Sequence, residues 1–446
     1  MEIISTRSQK FNGHLQKAAG SSTQIKLYNS LTNQVEPFRP AGEVVTIYVC
    51  GITPYDTTHL GHAFTYTGAD ILIRFLESQG YQVKYVQNVT DIDDDILRKA
   101  QEVDDNWHEV GNRWTAHFIR DMQALNVRPP DHFPRATGVI PEIITMVERL
   151  IKAGVAYQVD GSVYFEVSAW PDFGKLSHLP REQMLSVANQ RGNNPDDPRK
   201  RHPLDFVLWQ AHEPGEPAWE SPWGFGRPGW HIECSTMATR FLGETIDIHS
   251  GGSDLIFPHH ECEIAQVEPL THQPFVRFWL HVGMVHHEGQ KMSKSLGNLV
   301  MIRDLLSGWS ADALRLYMGS HHYRQIWSHD SEKLTQAAHL AEKLRLAVTI
   351  NGGSTSGLDP ASAQTRFIKA LSDDLNTFDA VLAMHSLADE ILAAAQKGQQ
   401  VDTAKKVLRA MSRVFGLRLD QDQVETRVTT GWNNYLDQFE ESSPVG

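Results

Sequence analysis

"VVTIYVCGITPYDTTHLGHAFTYTGADILIRFLESQGYQVKYVQNVTD", from Val44 to Asp91, decides the fold. Its first seven residues, Val44 to Cys50, are apolar and rich in β-branched side chains, the pattern of a strand buried on both faces. A turn containing Gly51 and Pro54 follows, then apolar residues at helical spacing that stop at Gly80, then a second strand-like run from Tyr81. Strand, loop, helix and strand in that order form a βαβ unit, which requires a parallel sheet.

The rest of the chain is arranged around this unit. A leader, residues 1–25, precedes a first half-fold over residues 26–135. Residues 136–205 read as an insertion, with a helix over "PEIITMVERLIKAG", a strand pair over "AYQVDGSVYFEV" and a polar stretch "NQRGNNPDDPRKRH" whose basic end is most simply a solvated loop. A second α/β half is expected over 206–285, opening on "LDFVLWQ", and a loop-bearing stem over 286–330. Helical spacing governs 331–418, and the last segment, 419–446, reads as a polar, loosely held tail.

With 446 residues, 41% of them hydrophobic and 21% charged, the composition is that of a globular protein with several domains. No secretory pattern opens the chain and no long apolar run interrupts it, so a cytoplasmic location and no membrane partner are expected. The three cysteines, Cys50, Cys234 and Cys262, are too few and too scattered for a disulfide framework and are expected as reduced thiols. A net charge of -13 means that any polyanionic partner must be met by a local basic patch against an unfavourable overall field.

Three short stretches carry candidate chemistry. "HLGH", His59 to His62, sits after a strand at the start of a helix, where free N–H groups and the helix dipole favour phosphate. Taken alone it is more readily an ordinary surface loop. "KMSKS" supplies Lys291 and Lys294 on a serine-bearing loop suited to following charge onto a leaving pyrophosphate. "GGSDLIFPHHECEIAQ", Gly251 to Gln266, places His259 and Glu263 four residues apart, hence on one face if that segment is helical. No CxxC pair exists, so a metal would need ligands from distant segments, and Cys50 and Cys234 taken alone are more readily small buried hydrophobes.

Together, "HLGH" and "KMSKS" resemble the paired signature of class I aminoacyl-tRNA synthetases. "YVCGIT", "NVTDIDDDIL", "GEPAWESPWGFGRPGWHIECSTM", "GGSDLIFPHHE" and "KMSKSLGN" are similar to the cysteine-activating branch of that family over about Ile25 to Leu417. The resemblance implies a Rossmann-like parallel sheet with an insertion domain and a C-terminal helical bundle, acting as an ATP-dependent, AMP-forming cysteine ligase. It implies Zn2+ held by Cys50, Cys234, His259 and Glu263 to bind the substrate thiolate, and Mg2+ entering with ATP. His59, His62, Lys291 and Lys294 would serve the phosphates. Gly51, Ile52, Thr53, Thr65, Asn88, Val89, Thr90, Gly252, Ser253, Asp254 and Val285 match positions lining the adenylate site. Trp230 would close the amino-acid pocket; by residue type alone it is as readily core packing, and for Asp254 residue type alone favours a helix cap. Cys262 is expected to be a bystander, and the protein a monomer.

Two acceptors are known in this branch, tRNA(Cys) and the amine of glucosaminyl-inositol in mycothiol biosynthesis. "HLGHA", "YVQNVTD" and the segment Gln190 to Lys200 resemble the amino-sugar ligases, and nothing after Leu417 resembles an anticodon-binding module. Glu263 points the other way, since the amino-sugar enzymes generally lack that carboxylate. The resemblance leans to the amino-sugar, with tRNA as the alternative and a non-catalytic cysteine-sensing paralogue as a remote one.

Overall fold

The computed structural model describes residues 24–56, 58–292, 296–419 and 425–440. Lys294, the leader up to residue 23 and parts of the tail lie outside them.

The opening stretch forms β1 (Val44–Ile52), α1 (Leu60–Ser78) and β2 (Gln82–Val89). After α2 (Trp107–Ala124) the chain enters the insertion, β3 (Ala156–Val159), β4 (Ser162–Phe165), α3 (Arg181–Asn189), β5 (Phe206–Ala211) and β6 (Gly226–Pro228). It then returns through α4 (Trp230–Leu242), β7 (Ile246–Gly252), α5 (Glu261–Thr271), β8 (Val276–Val282) and β9 (Val285–His287).

The central sheet is parallel throughout, in the order β8-β7-β1-β2. The chain therefore builds outward from β1 to β2 on one side, and after the insertion resumes with β7 on the other. The order reverses between β1 and β7, and a crevice opens at the carboxyl ends of strands where it does so. Those ends are Cys50 to Ile52 on β1 and Gly251 to Gly252 on β7, two of the stretches singled out above.

One boundary moves. Phe206–Ala211, expected to open the second half-fold, pairs antiparallel with β4 and with β6 in the insertion's own four-stranded sheet. The insertion thus extends to Pro228, because an apolar run flanked by turns marks a buried strand without saying which sheet receives it.

Beyond the stem helix α6 (Ala311–Gly319) lie α7 (Ser331–Thr349), α8 (Ala361–Ser372), α9 (Thr377–Gln396) and α10 (Asp402–Val414). Their apolar faces share one continuous core with α1 and the central sheet. The tail corrects the expectation of loose attachment: α11 (Thr426–Glu440) packs on α2 and fully buries Val428 and Trp432. Trp432 meets Phe118 and Phe133 edge-on, and its Nε1 donates to the Val127 carbonyl at 2.8 Å. A buried charge cluster secures the same region: Asp70 pairs with Arg74 at 2.9 Å and with Arg315, and Arg74 reaches Glu425 at 2.8 Å.

Candidate active site and metal cluster

At the carboxyl end of β1 the backbone bends away from the ladder, and Asn88 fills the gap. Its Oδ1 accepts from the Gly51 N–H at 2.8 Å, its Nδ2 donates to Thr90 Oγ1 at 3.2 Å, and Thr90 N–H donates to the Ile52 carbonyl at 2.9 Å. Gly51 is required by this approach, since a Cβ there would stand 1.6 Å from the Asn88 carbonyl oxygen. Val89 is buried opposite Ile52, and Thr53 is half-buried in the loop that leaves the strand.

That loop ends on His59, the N-cap of α1. Its Nδ1 accepts from the N–H groups of Gly61 at 3.1 Å and His62 at 3.4 Å, so the ring's proton belongs on Nε2. The His62 ring stacks on His59 at 3.8 Å between centroids, and the Thr65 hydroxyl bonds the Gly61 carbonyl one turn on. One imidazole thus satisfies the helix terminus at the end where the helix dipole favours an anion.

Across the crevice, β7 ends at Gly252 and a single turn, Ser253–Leu255, carries Asp254. Lys291 Nζ lies 3.4 Å from Asp254 Oδ2, which brings the first lysine of the serine-bearing loop to the crevice. Val285 is buried in β9, paired with Trp327.

Cys50, His259, His260 and Glu263 converge under this crevice, with one ligand atom from each lying within 4.8 Å of all the others. Cys50 Sγ stands 3.3 Å from His260 Nε2 and 3.9 Å from Glu263 Oε1, which in turn is 3.2 Å from His259 Nε2. Cys234 sits just outside the tight group, 3.9 Å from Cys50 by sulfur-to-sulfur distance. The sequence reading missed His260. Both histidines present Nε2 inward because their other nitrogen is held from behind: His259 Nδ1 contacts His231 at 2.8 Å, and His260 Nδ1 contacts His281 at 2.8 Å. Glu263 Oε2 is likewise held by His249 Nε2 at 2.9 Å.

Burial pushes the Cys50 thiol and the Glu263 carboxyl upward, and holds His259 and His260 well below the usual imidazole range. Neutral imidazole, sulfur and a carboxylate oriented from behind are the donor set of zinc, so the residues fit that ion. Trp230, the first residue of α4, lays its ring on His259 at 4.3 Å and remains half-exposed, so it covers one side of the cluster. Cys262 is buried and turned out of the group.

Residues 37–339 match the family described as tRNA synthetases class I (C) catalytic domain, and residues 366–420 match the DALR domain. The chain belongs to the class I (C) tRNA synthetase family. As a member of that family it is an ATP-dependent ligase, and it has relatives with two different names. A cysteine–tRNA ligase from Dehalococcoides mccartyi is 44% identical over 400 residues, 89% of this chain and 87% of the relative. An L-cysteine:1D-myo-inositol 2-amino-2-deoxy-alpha-D-glucopyranoside ligase from Thermomonospora curvata is also 44% identical, over 395 residues, 88% of this chain and 94% of the relative. Among solved structures, Mycobacterium tuberculosis methionyl-tRNA synthetase in complex with methionyl-adenylate aligns with a TM-score of 0.58 at 17% identity, covering 90% of this chain and 94% of that one, a likeness of fold. No described helix of this synthetase-family chain is long and apolar enough to cross a membrane.

Proposed function

We propose that the chain activates L-cysteine with ATP, forming cysteinyl-adenylate and pyrophosphate, and passes the cysteinyl group to the 3' end of tRNA(Cys). The observation that carries the first step is the buried Cys50, His259, His260 and Glu263 cluster, lying directly beneath the nucleotide crevice with Trp230 over it. Zn2+ held there, with Cys234 available as a further ligand, would bind the substrate thiolate and reject a serine hydroxyl by the softness of its donor. The cysteine carboxylate then attacks the α-phosphorus as the bond to pyrophosphate breaks. That displacement needs placement and charge rather than a protein nucleophile. His59 and His62 hold the phosphates at the start of α1, while Lys291 and Lys294 meet the charge that develops on the leaving group, which arrives with Mg2+. Asp254, Thr53, Thr65 and the Asn88–Thr90 strand end frame the adenylate.

Support for the choice of acceptor comes from the relatives rather than from the cluster. Most of the named relatives are cysteine–tRNA ligases, and the helical region matches the DALR domain, which supports tRNA over the amino-sugar that the sequence resemblance favours. The amino-sugar remains the second reading, because a ligase of that name matches equally well and over more of its own length. Cysteine-dependent ATP–pyrophosphate exchange tests the activation step; its absence from zinc-loaded protein would sink the ligase reading. Charging of tRNA and of glucosaminyl-inositol, assayed side by side, decides the acceptor, and product from the amino-sugar alone would reverse the choice.

A further inference from the structure

The segment from Gln190 to Lys200 enters the site at one residue. Arg191, just past the end of α3, directs its Nη1 at two backbone carbonyls, those of Asp254 and Phe257. Both carbonyls need an outside donor for a reason visible in the sequence. After the Ser253–Leu255 turn the chain coils on through Ile256–His260, but Phe257 is extended at φ -139, ψ 132. Continued helix would pair the Asp254 carbonyl with the N–H of residue 258, and Pro258 has none. The Phe257 carbonyl would take the N–H of Glu261, which bonds Pro258 instead. Two acceptors are thus left side by side, and half-buried Arg191 closes both. No carboxylate pairs with its guanidinium among the described residues, so these carbonyls are its anchor.

The two carbonyls stand on opposite sides of the functional boundary. Asp254 belongs to the nucleotide loop and pairs with Lys291, whereas Phe257 precedes the metal-cluster residue His259 by two positions. We propose that Arg191 is a positioning residue that fixes the nucleotide loop and the metal-binding turn in one frame, so that the insertion domain sets the distance between ATP and the activated amino acid. The proposal rests on the cysteine-activating reading above.

The test uses the full chain with Arg191→Gln and Arg191→Lys, and Met184→Ala, which loosens α3 at a buried residue while leaving both contacts. Two readouts are taken: KM for ATP and for cysteine in pyrophosphate exchange, and Zn2+ retention against a competing chelator. A partner that orients a metal ligand from behind is typically worth about 10- to 100-fold in metal affinity or activity. Arg191 reaches His259 only through backbone two residues away, so Arg191→Gln is expected to raise both KM values and to weaken Zn2+ retention by about tenfold, the lower end of that range, with Arg191→Lys recovering much of the loss. Met184→Ala is expected to lower thermal stability while leaving retention and KM near those of the unaltered chain. Unchanged KM and retention in Arg191→Gln, or the same losses in Met184→Ala, would overturn the positioning role. Absence of exchange in the unaltered chain would instead defeat the ligase reading, and Zn2+ retention alone would then judge Arg191.

Discussion

His59 performs two tasks with one ring, and substitution can separate them. Asparagine is a good N-cap but has no second nitrogen on its far side, so His59→Asn is expected to keep the melting temperature near that of the unaltered chain, whereas His59→Ala loses the cap as well, at about 1 kcal/mol. Both are expected to lose exchange activity by about 100-fold, as removal of a positioned transition-state donor commonly does. Equal activity in His59→Asn and the unaltered chain would refute the phosphate role. Gly51 gives a prediction of stability rather than rate. A methyl group meeting the Asn88 carbonyl can be accommodated only by parting β1 from β2, so Gly51→Ala is expected to cost at least the usual 1–3 kcal/mol of overpacking, roughly, in denaturant unfolding. At this scale the sequence was legible where two members of the cluster stand four residues apart, as with His259 and Glu263. His260 was hidden because its inward direction is imposed by His281 on β8, a residue the local pattern cannot supply.

Helix α11 shows the same limit one level up. Val428, Trp432 and Phe439 are spaced to fall along one face, yet the surrounding polar residues and Gly431 mask that stripe, and the surface that receives it is built by Phe118 of α2 and by Phe133 beyond it. Trp432→Ala is expected to cost about 3–5 kcal/mol and to speed hydrogen exchange over 426–440 while the central sheet stays protected. Glu425, just before the helix, adds a pH dependence. Burial alone would raise its carboxyl, but Arg74 and Arg427 outweigh that and hold it at about 2, against an ordinary 4.5. A folded-state value below the unfolded one stabilises at pH above the unfolded value, and that stabilisation is lost as pH falls toward the folded value. Glu425→Gln is thus expected to cost about 3 kcal/mol near neutrality, with the gap to the unaltered chain narrowing from about pH 5 downward in denaturant titrations. A gap independent of pH would contradict the ion pairs. The boundary at Phe206–Ala211 was missed for a related reason: burial pattern identifies a strand, whereas its partner strands are a property of the folded chain.

For the whole molecule, a parallel sheet built from two half-folds was legible in the sequence, whereas the order β8-β7-β1-β2, and the crevice with it, depends on which side of β1 the chain rejoins after the insertion, a property of the folded chain. What lies across the crevice was legible only through family resemblance, since Cys50 and Glu263 are far apart in sequence. An ion bound there in the folded state alone should stabilise the entire chain by mass action, about 4 kcal/mol at a thousandfold excess over its dissociation constant. Thermal unfolding with added Zn2+ and with chelator checks this, and identical transitions would argue against the cluster as a metal site. The insertion bears on heredity as well as on stability. Its last strand, β6, passes through Gly229 alone into α4, which carries Trp230 and Cys234, and a side chain at Gly229 would strike the Val207 carbonyl of β5 at 2.1 Å. Recombination between relatives has no linker to cut at that seam. A recombinant that exchanges the insertion at that seam is therefore expected to shift the start of α4, and Trp230 and Cys234 with it.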